Sequence, residues 1–335
     1  MTDGRASQTV LVTGATGFLG GELVRQLLAE GAEVRILRRR NSQLDLLGYA
    51  ASQVDHAIGD ITNPEAVNAA CTGVNQVYHL AARVGFGGKR EEQVLFDVNA
   101  RGTANVVNAA LRNGVGRAVF TSSIAALGRS TTPVALIDET AEWRQSKANT
   151  AYARSKHAAE LEVHRGVAEG LDALMVCPAL IFGPGRTGDN TTKIVGKVRK
   201  EKLPFYPAGG TCVVDVADVA IGHRLAMKSG QTGQRYIFGG ENLSWEEILV
   251  TLADALDVAP PRWRMPPGLA LAAAAASEAA ATILRREPLL TRETAMTSSH
   301  FHRYSSQRAE DELGYHYRPF SETAARIAAE LNQSA

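Results

Sequence analysis

The sequence predicts an α/β protein built on a doubly wound parallel sheet. Short apolar runs that suit buried strands alternate with longer amphipathic segments that suit helices, the pattern of chains that form parallel sheets. The first apolar run leads at once into a glycine-rich turn and a helix. The pattern changes near residue 180, so we expect one domain over residues 1–180. A smaller, interleaved region over 181–335 should follow, with last strands and helices that partly return to the first domain.

Charge and cysteine content narrow the classes of partner. Lys plus Arg number 36 and Asp plus Glu number 35, so the near-zero net charge gives no support for a nucleic-acid partner. Three scattered cysteines lack metal-ligand spacing and are typical of reduced thiols, so we expect a cytoplasmic protein. The polar N-terminus does not resemble a signal peptide.

The segment 268–284 is rich in alanine and leucine. It is shorter than the ~20 residues that span a bilayer, and Glu278 lies within it. We therefore expect a helix packed on the protein and no membrane span, with a peripheral membrane contact as the alternative.

The first predicted strand, Val10 to Val12, precedes three glycines at a three-residue spacing. The start of a helix presents free N–H groups and the positive end of its dipole, which can hold a diphosphate. Glycines permit the tight turn and remove Cβ atoms that would keep a phosphate away. This context favours a dinucleotide site over glycines with a purely structural role. The expected contacts from this turn are Gly14, Thr16, Gly17, Phe18, Leu19 and Gly20.

The second predicted strand, Glu33 to Leu37, ends at a basic turn that begins with Arg38 and Arg39. An acidic residue here would bind the ribose 2′-hydroxyl of NAD, whereas arginines suit the additional phosphate of NADP. We therefore predict NADP(H) rather than NAD(H) as the cofactor, with a solvated basic turn as the alternative.

Two later strand ends supply further candidate contacts. The strand predicted over 54–58 is followed by an acidic turn expected beside the adenine, although a simple turn is the alternative for its aspartate. The strand predicted over 74–79 is followed by small side chains that would let the backbone approach a cofactor closely. The expected contacts are Asp60, Ile61, Leu80, Ala81 and Ala82.

Tyr152 and Lys156 begin a predicted long helix, and their four-residue spacing places them on one face, one turn apart. A phenol with its ordinary pKa of ~10 is a poor base, but a nearby ammonium favours the phenolate and lowers that pKa. The phenol can then give or take a proton while a hydride moves to or from a nicotinamide. Ser123, after a strand predicted over 117–121, would hydrogen-bond the reacting oxygen. An ordinary surface pair of tyrosine and lysine is the alternative.

Together these segments resemble the extended short-chain dehydrogenase/reductases over nearly the whole chain. The segments that carry the resemblance are Thr13 to Gly20, Gly59 to Ile61, His79 to Ala82, Asn99 to Thr103, Thr121 to Ser123, Tyr152 to Lys156, and Pro178 to Gly185. The resemblance implies a Rossmann fold with Ser123, Tyr152 and Lys156 as the catalytic triad. It implies that Asn99, on a helix predicted over 94–111, holds that helix and a water relay behind Lys156. It also implies cofactor contacts from Arg38, Arg39, Asp60, Tyr152, Lys156 and Pro178.

The segment that follows a strand predicted over 173–176 separates two branches of this family. Members that act on nucleotide sugars usually carry an arginine and an asparagine there, and the stretch Val176 to Pro184 has neither. Its form resembles the dihydroflavonol-reductase and 3β-hydroxysteroid-dehydrogenase branch. The resemblance implies an NADP(H)-dependent reductase of a fairly apolar ketone or aldehyde. The alternatives are a nucleotide-sugar epimerase or dehydratase with tightly bound NAD, and a non-catalytic NADP-binding sensor.

Substrate choice is expected to depend mainly on residues 181–335 and on an apolar pocket. Its candidates, for each of which core packing is the alternative, are Val84, Phe86, Ile124, Leu127, Leu180 and Phe182. Family members often pair through the helices that hold Asn99 and Tyr152. We therefore expect a homodimer, with apolar contacts from Val106, Val107, Leu111, Leu161 and Val163. We expect no metal, because His300 and His302 have no further ligand positioned by the sequence.

Overall fold

The computed structural model describes residues 8–85, 89–128, 136–146, 149–186, 190–284 and 290–333. The strands in chain order are β1 Thr9–Thr13, β2 Glu33–Arg38, β3 Asp55–Ile58, β4 Gln76–His79, β5 Arg117–Thr121, β6 Leu136–Ile137, β7 Ala173–Pro178, β8 Leu180–Phe182, β9 Phe205–Pro207, β10 Gly210–Asp215, β11 Arg235–Phe238, β12 Glu241–Ser244, β13 Trp263–Met265 and β14 Arg303–Tyr304.

The α-helices in chain order are α1 Phe18–Ala29, α2 Pro64–Cys71, α3 Lys89–Phe96, α4 Gly102–Arg112, α5 Ala151–Ala168, α6 Asn190–Arg199, α7 Val216–Ser229, α8 Trp245–Ala255, α9 Pro267–Leu284, α10 Arg292–Ser298, α11 Gln307–Leu313 and α12 Phe320–Gln333. Short 3₁₀ helices lie at Gly48–Ser52 and Ile124–Ala126, and a π-helical turn lies at Asp97–Arg101.

Seven strands form a parallel sheet in the order β11–β7–β5–β4–β1–β2–β3, which confirms the doubly wound fold. The chain first builds outward from β1 to β3 and then returns to place β4 on the other side of β1. Such a reversal opens a crevice at the carboxyl ends of the two central strands, where doubly wound proteins bind ligands. The glycine turn follows β1 and Leu80 follows β4, so both border this crevice.

Helices cover both faces of the sheet, which explains why its strands are apolar throughout. Alternate residues of β1 enter opposite cores, since Val10 and Val12 pack in one cluster and Leu11 in the other. Helices α1 and α7 pack together on the first face, and α2, α4 and α5 contribute to the second. Strand β11, although late in the sequence, pairs with β7 and completes the sheet.

The helix predicted over 94–111 is interrupted. The π-helical turn Asp97–Arg101 separates α3 from α4, and buried Asn99 lies within it. A π turn inserts an extra residue into the hydrogen-bonding repeat and so re-aims the side chains around it. Local sequence periodicity did not indicate the turn, because the contacts that hold Asn99 come from residues distant in the chain.

A smaller region lies beyond the large sheet. Strands β8, β10 and β12 form a three-stranded sheet, and α6, α8 and α12 enclose a separate apolar cluster around Phe182 and Ile248. Two ion pairs attach α12 and the residues before it, with Arg326 to buried Asp215 at 2.6 Å and Arg318 to Asp218 at 2.6 Å. Because β8 begins two residues after β7 ends, this region lies next to the carboxyl end of β7.

The alanine-rich segment forms α9, which packs mainly on α10. Small residues form the buried part of the contact, with Ala270 and Ala274 against Ala295, and an ion pair between Arg292 and Glu278 joins the two helices, while Leu269 is 61% exposed. Across the described ranges, none of the helices combines the length and the apolarity that crossing a membrane requires.

Candidate active site

The ends of β5 and the first turns of α5 are joined by a ladder of polar contacts. Three consecutive residues, Thr121, Ser122 and Ser123, contact three residues that lie one helical turn apart on α5, which are Lys156, Glu160 and Tyr152 respectively. Spacings of four residues place those three side chains on a single face of the helix. The ladder brings together the three residues predicted to be catalytic and adds one that the sequence analysis did not single out, Glu160.

Tyr152 is partly buried, and its hydroxyl lies beside the Ser123 side chain. Burial raises the pKa of Tyr152 above its ordinary value, and the hydrogen bond to Ser123 opposes the rise. Ser123 also caps the short helix that follows it, because its Oγ accepts from Ala125 N at 3.1 Å. Its position is therefore fixed by both the strand end and the turn.

Lys156 is buried, with 4% of its surface exposed, and Nζ donates to the carbonyl oxygen of Thr121 at 2.8 Å. Burial lowers the pKa of Lys156 to about 8, and the carboxylate of Glu160 opposes this shift. An ammonium held in such a site lies close enough to Tyr152, one turn away, to favour its phenolate.

Asn99 positions the catalytic helix rather than the lysine itself. Its Nδ2 donates to Ser155 Oγ and to the carbonyl oxygen of Arg83, both at 2.9 Å, and its Oδ1 accepts from Arg83 N at 2.7 Å. Ser155 Oγ in turn donates to the carbonyl oxygen of Tyr152 at 2.8 Å. These contacts tie the chain after β4 to the first turn of α5. The water relay implied by the family resemblance stays a prediction.

Buried His79 links this network to the glycine strand. Its Nδ1 lies 2.7 Å from Thr13 Oγ1 and its Nε2 lies 3.0 Å from Thr103 Oγ1. Because Thr103 donates to the carbonyl oxygen of Asn99 at 2.6 Å, it accepts from Nε2, and Thr13 donates to Nδ1. Burial, aided by the charge of Lys156, lowers the pKa of His79 to about 3, so the ring is neutral.

The turn from Gly14 to Gly20 meets the steric requirements of a diphosphate site. Gly14 has φ +72°, and a Cβ there would lie 2.6 Å from Ala81 N; a Cβ on Gly20 would lie 2.1 Å from Gly14 O. Packing alone therefore demands these two glycines. A Cβ on exposed Gly17 would meet only Gly14 O at 3.2 Å, so its missing side chain leaves room that a ligand can use.

The N-terminus of α1 is open to an anion. Gly17 is its N-cap, so no capping side chain bonds to the first N–H groups of this 12-residue helix. These groups lie at the positive end of the helix dipole. These groups fit a diphosphate. The ring of Phe18 packs against Gly185, because a Cβ on that glycine would lie 2.7 Å from the ring.

The two arginines after β2 have different surroundings. Arg38 Nε donates to His56 Nδ1 at 2.7 Å, and Nη1 donates to the carbonyl oxygens of Arg39 and Arg40 at 3.2 and 3.4 Å. Its guanidinium thus supports the turn. Arg39 is exposed. Burial acts to raise the pKa of Asp60, but hydrogen bonds from Thr62 and the charge of Arg39 together hold it below its ordinary value. Of the two arginines, Arg39 is therefore the one whose side chain is exposed.

The residues proposed for the substrate pocket are not equivalent. Val84 is 46% exposed, and Ile124 and Leu180 are partly buried. Leu127 and Phe182 are instead core residues, 1% and 0% exposed, so packing occupies their surfaces. Phe86 lies outside the described residues.

The residues predicted to contact the cofactor or a second copy of the chain also differ in their exposure. Thr16, Leu19, Leu80 and Ala81 are partly buried and Ala82 is exposed, whereas Ile61 and Pro178 are buried. Of the residues predicted to contact a second copy, Val106, Val107 and Val163 lie in the protomer's own core. Leu161 is 56% exposed. His300 and His302 stack at 6.1 Å, and the described residues contain no group of three potential metal ligands.

Nicotinamide-dependent α/β enzymes are the class in which an open glycine turn and a buried lysine beside a tyrosine meet at one sheet edge. The chain belongs to the NAD dependent epimerase/dehydratase family, whose model matches residues 10–239. The resemblance predicted from the sequence is thus confirmed, and the chain is placed among NAD(P)-dependent oxidoreductases.

Three relatives show the range of the family around this chain. Sterol demethylase protein B of Methylococcus capsulatus is 37% identical, covering 78% of each chain. Cinnamoyl-CoA reductase 1 of Oryza sativa subsp. japonica is 32% identical over 74% of this chain and 75% of its own. The 2-alkyl-3-oxoalkanoate reductase of Stenotrophomonas maltophilia is 30% identical over 91% of this chain and 94% of its own.

A solved structure extends the similarity to the whole fold. The crystal structure of gox2253 matches with a TM-score of 0.85 at 31% identity and covers 98% of this chain and 99% of its own. The smaller C-terminal sheets are therefore part of an architecture that this chain shares with a homologue.

Proposed function

We propose that this protein is an NADP(H)-dependent reductase of a fairly apolar ketone or aldehyde, or catalyses the reverse oxidation of a secondary alcohol. The observation that carries the proposal is the ladder that brings Ser123, Tyr152 and Lys156 together at the carboxyl edge of β5. The nicotinamide, when bound, supplies or accepts the hydride. The glycine turn, open at Gly17 and at the start of α1, holds the diphosphate.

Tyr152 supplies the proton to the carbonyl oxygen in the direction of reduction. Because burial raises its pKa, the phenol is protonated near neutral pH and ready to donate. Ser123, which contacts the tyrosine hydroxyl, holds the substrate oxygen beside it. Lys156 stabilises the phenolate that remains after proton transfer.

The preference for NADP(H) rests on the turn after β2. Arg38 is hydrogen-bonded to His56 and to the backbone of that turn, whereas Arg39 is exposed. We therefore assign the contact with the 2′-phosphate to Arg39. Arg38 acts by holding the carbonyl groups of the turn in place.

The proposed substrate class is supported by relatives whose names include a 2-alkyl-3-oxoalkanoate reductase and a cinnamoyl-CoA reductase. Val84, Ile124 and Leu180 offer apolar surface for such a substrate. We assign the rest of the pocket mainly to residues 181–335, and we propose a homodimer through α4 and α5 to which exposed Leu161 contributes.

A coupled screen tests the proposal. Consumption of NADPH and of NADH is followed over aldehydes, cyclic ketones, steroids and 3-oxo esters. Tyr152→Phe should lower turnover by about 10²–10⁴-fold, because it removes the proton donor. Tyr49→Phe is the matched control, since Tyr49 is 81% exposed and lies in the 3₁₀ helix Gly48–Ser52, which connects β2 to the edge strand β3.

Two results would contradict the proposal. Equal turnover by the wild-type protein and Tyr152→Phe would show that the tyrosine does not donate the proton. Copurified NAD together with turnover of a UDP- or TDP-sugar, and no consumption of NADPH over the carbonyl panel, would establish the nucleotide-sugar alternative.

A further inference from the structure

A buried carboxylate lies directly behind the proposed catalytic residues, and the reaction described above makes no use of it. The side chain of Glu160 is 4% exposed and lies one turn beyond Lys156 on the same face of α5. A carboxylate is kept in such a place only where charges and hydrogen bonds compensate for its lost hydration. Its surroundings therefore indicate what it is for.

Three side chains surround the Glu160 carboxylate, one from the residue after β5, one from β7 and one from β11. Ser122 Oγ donates to Oε1 at 2.5 Å, and Cys177 Sγ lies 3.7 Å from the same oxygen. Arg235 Nη1 donates to Oε2 at 3.3 Å. The other end of the Arg235 guanidinium is itself held, because Nη2 donates to the carbonyl oxygen of Glu139 at 2.8 Å.

The contacts around Glu160 suit an ionised carboxylate, because Arg235 pairs with it and Ser122 donates to it. Burial raises the pKa of Glu160 above its ordinary value, and the hydroxyl of Ser122 and the charge of Arg235 oppose the rise. Both partners favour the ionised form, since the hydroxyl donates to it and the guanidinium keeps its charge at any working pH.

The other titratable groups near Lys156 do not supply a negative charge. On β4 and α7, burial lowers the pKa of His79 to about 3 and that of His223 to about 4, so both are neutral. On β7, burial raises the pKa of the Cys177 thiol. On α5 itself, burial raises the pKa of Tyr152. Glu160 is thus the carboxylate within this group, and Arg235 on β11 pairs with it.

We propose that Glu160 is the counter-ion of Lys156, and that the contacts from Ser122 and Arg235 hold its carboxylate so that the lysine stays charged during catalysis. The proposal rests on the proposed reductase function and makes Glu160 a positioning residue that acts through Lys156. Without the carboxylate, burial would lower the pKa of Lys156 further, and the lysine would lose its proton in the working pH range. Tyr152 would then lose the neighbouring charge that stabilises its phenolate.

Direct titration of Lys156 tests this. Protein labelled with ¹³C at lysine Cε is titrated by NMR without cofactor, and Lys156→Met identifies the resonance. We expect a midpoint near pH 8 in the wild-type protein. In Glu160→Gln, which keeps the shape and an acceptor for Ser122, it should fall by about one pH unit or more. Glu160→Asp, which keeps the charge, should restore much of the difference.

The matched control is Glu162→Gln, two residues further along α5, because Glu162 pairs with Arg165 and is 34% exposed. It should leave the midpoint unchanged. If Glu160→Gln does not fold, Ser122→Ala removes the 2.5 Å hydrogen bond to the carboxylate and should shift the midpoint in the same direction. An unchanged Lys156 midpoint in the folded variant would overturn the proposal.

The two proposals fail separately. A wild-type protein that turns over no carbonyl compound refutes the reductase function, whatever the Lys156 titration shows. A wild-type protein that reduces carbonyls, with a Lys156 midpoint equal to that of Glu160→Gln, refutes only the role of Glu160. In an active enzyme the alkaline limb of the pH profile for reduction should move with the NMR midpoint.

Discussion

Asn99 Nδ2 donates a 2.9 Å hydrogen bond to Ser155 Oγ, and this contact joins the π-helical turn to the catalytic helix α5. The two residues are 56 positions apart, and both are buried. The same amide group pairs with the backbone of Arg83 in both directions. One side chain thus fixes the spacing between the chain after β4 and the turn that carries Tyr152.

Asn99→Asp should uncouple these segments. The substitution keeps the size but removes both donors and turns a buried carboxylate towards the carbonyl oxygen of Arg83. We expect a loss of about 2–3 kcal/mol in the free energy of unfolding, measured by urea denaturation, with a lower kcat for carbonyl reduction. Asn332→Asp, at an exposed position, is the control. Wild-type stability in Asn99→Asp would show that the two hydrogen bonds donated by Nδ2 are dispensable.

Gly17→Ala should separate cofactor binding from folding. A Cβ at Gly17 meets protein only at Gly14 O, 3.2 Å away, so the fold should accept it while the methyl group enters the space for the diphosphate. We expect the Kd for NADPH, measured by fluorescence titration, to rise by about tenfold or more, with Tm within a few degrees of wild type.

Gly196→Ala on α6 is the matched control for this substitution, because a Cβ there would meet nothing within 4 Å. It should leave the Kd unchanged. A Gly17→Ala protein that binds NADPH as tightly as wild type would place the diphosphate elsewhere.

Arg39→Gln should reduce the preference for NADP(H) with little effect on NAD(H). A charge-assisted contact with the 2′-phosphate would be lost, so KM for NADPH should rise by about tenfold or more while KM for NADH stays within about twofold. Arg112→Gln, at an exposed position on α4, is the control. Equal increases for the two cofactors would argue against the contact with the 2′-phosphate.

Stability should fall as the pH drops below neutrality. Burial lowers the pKa of His79 to about 3 and that of His223 to about 4, so the folded protein keeps both rings neutral while the unfolded chain protonates them below its ordinary pKa of ~6.5. Their contribution is complete above pH ~6.5 and is lost progressively below it. Each should cost about 1 kcal/mol at pH 5.5.

Urea denaturation at pH 7.5 and 5.5 measures this effect. His79→Gln should show a smaller loss between the two pH values than wild type, whatever its stability at pH 7.5. His316→Asn is the control, since His316 is exposed. If His79→Gln loses as much stability as wild type, His79 is not one of the groups responsible.

Much of the fold follows from patterns that are local in the sequence. Apolar runs of strand length, separated by helical periodicity, predicted the parallel sheet, and the glycine spacing after β1 predicted an open turn. Tyr152 and Lys156 share a helix face because of their four-residue spacing alone. The interruption at Asn99 was missed, since its cause is a set of hydrogen bonds to Arg83 and Ser155.

The sequence by itself therefore determined the class of fold, the family and the residues that meet at the edge of β5. Only the tertiary structure decided which candidate side chains are exposed and which are buried or hydrogen-bonded within the protein. It assigns Phe182 and Leu127 to the core and Arg38 to the support of its own turn. It also unites Glu160 with Ser122 and Arg235, 38 and 75 positions away. The physical reason is that backbone periodicity acts between near neighbours, whereas desolvation and charge pairing depend on which distant side chains the packed sheet brings together.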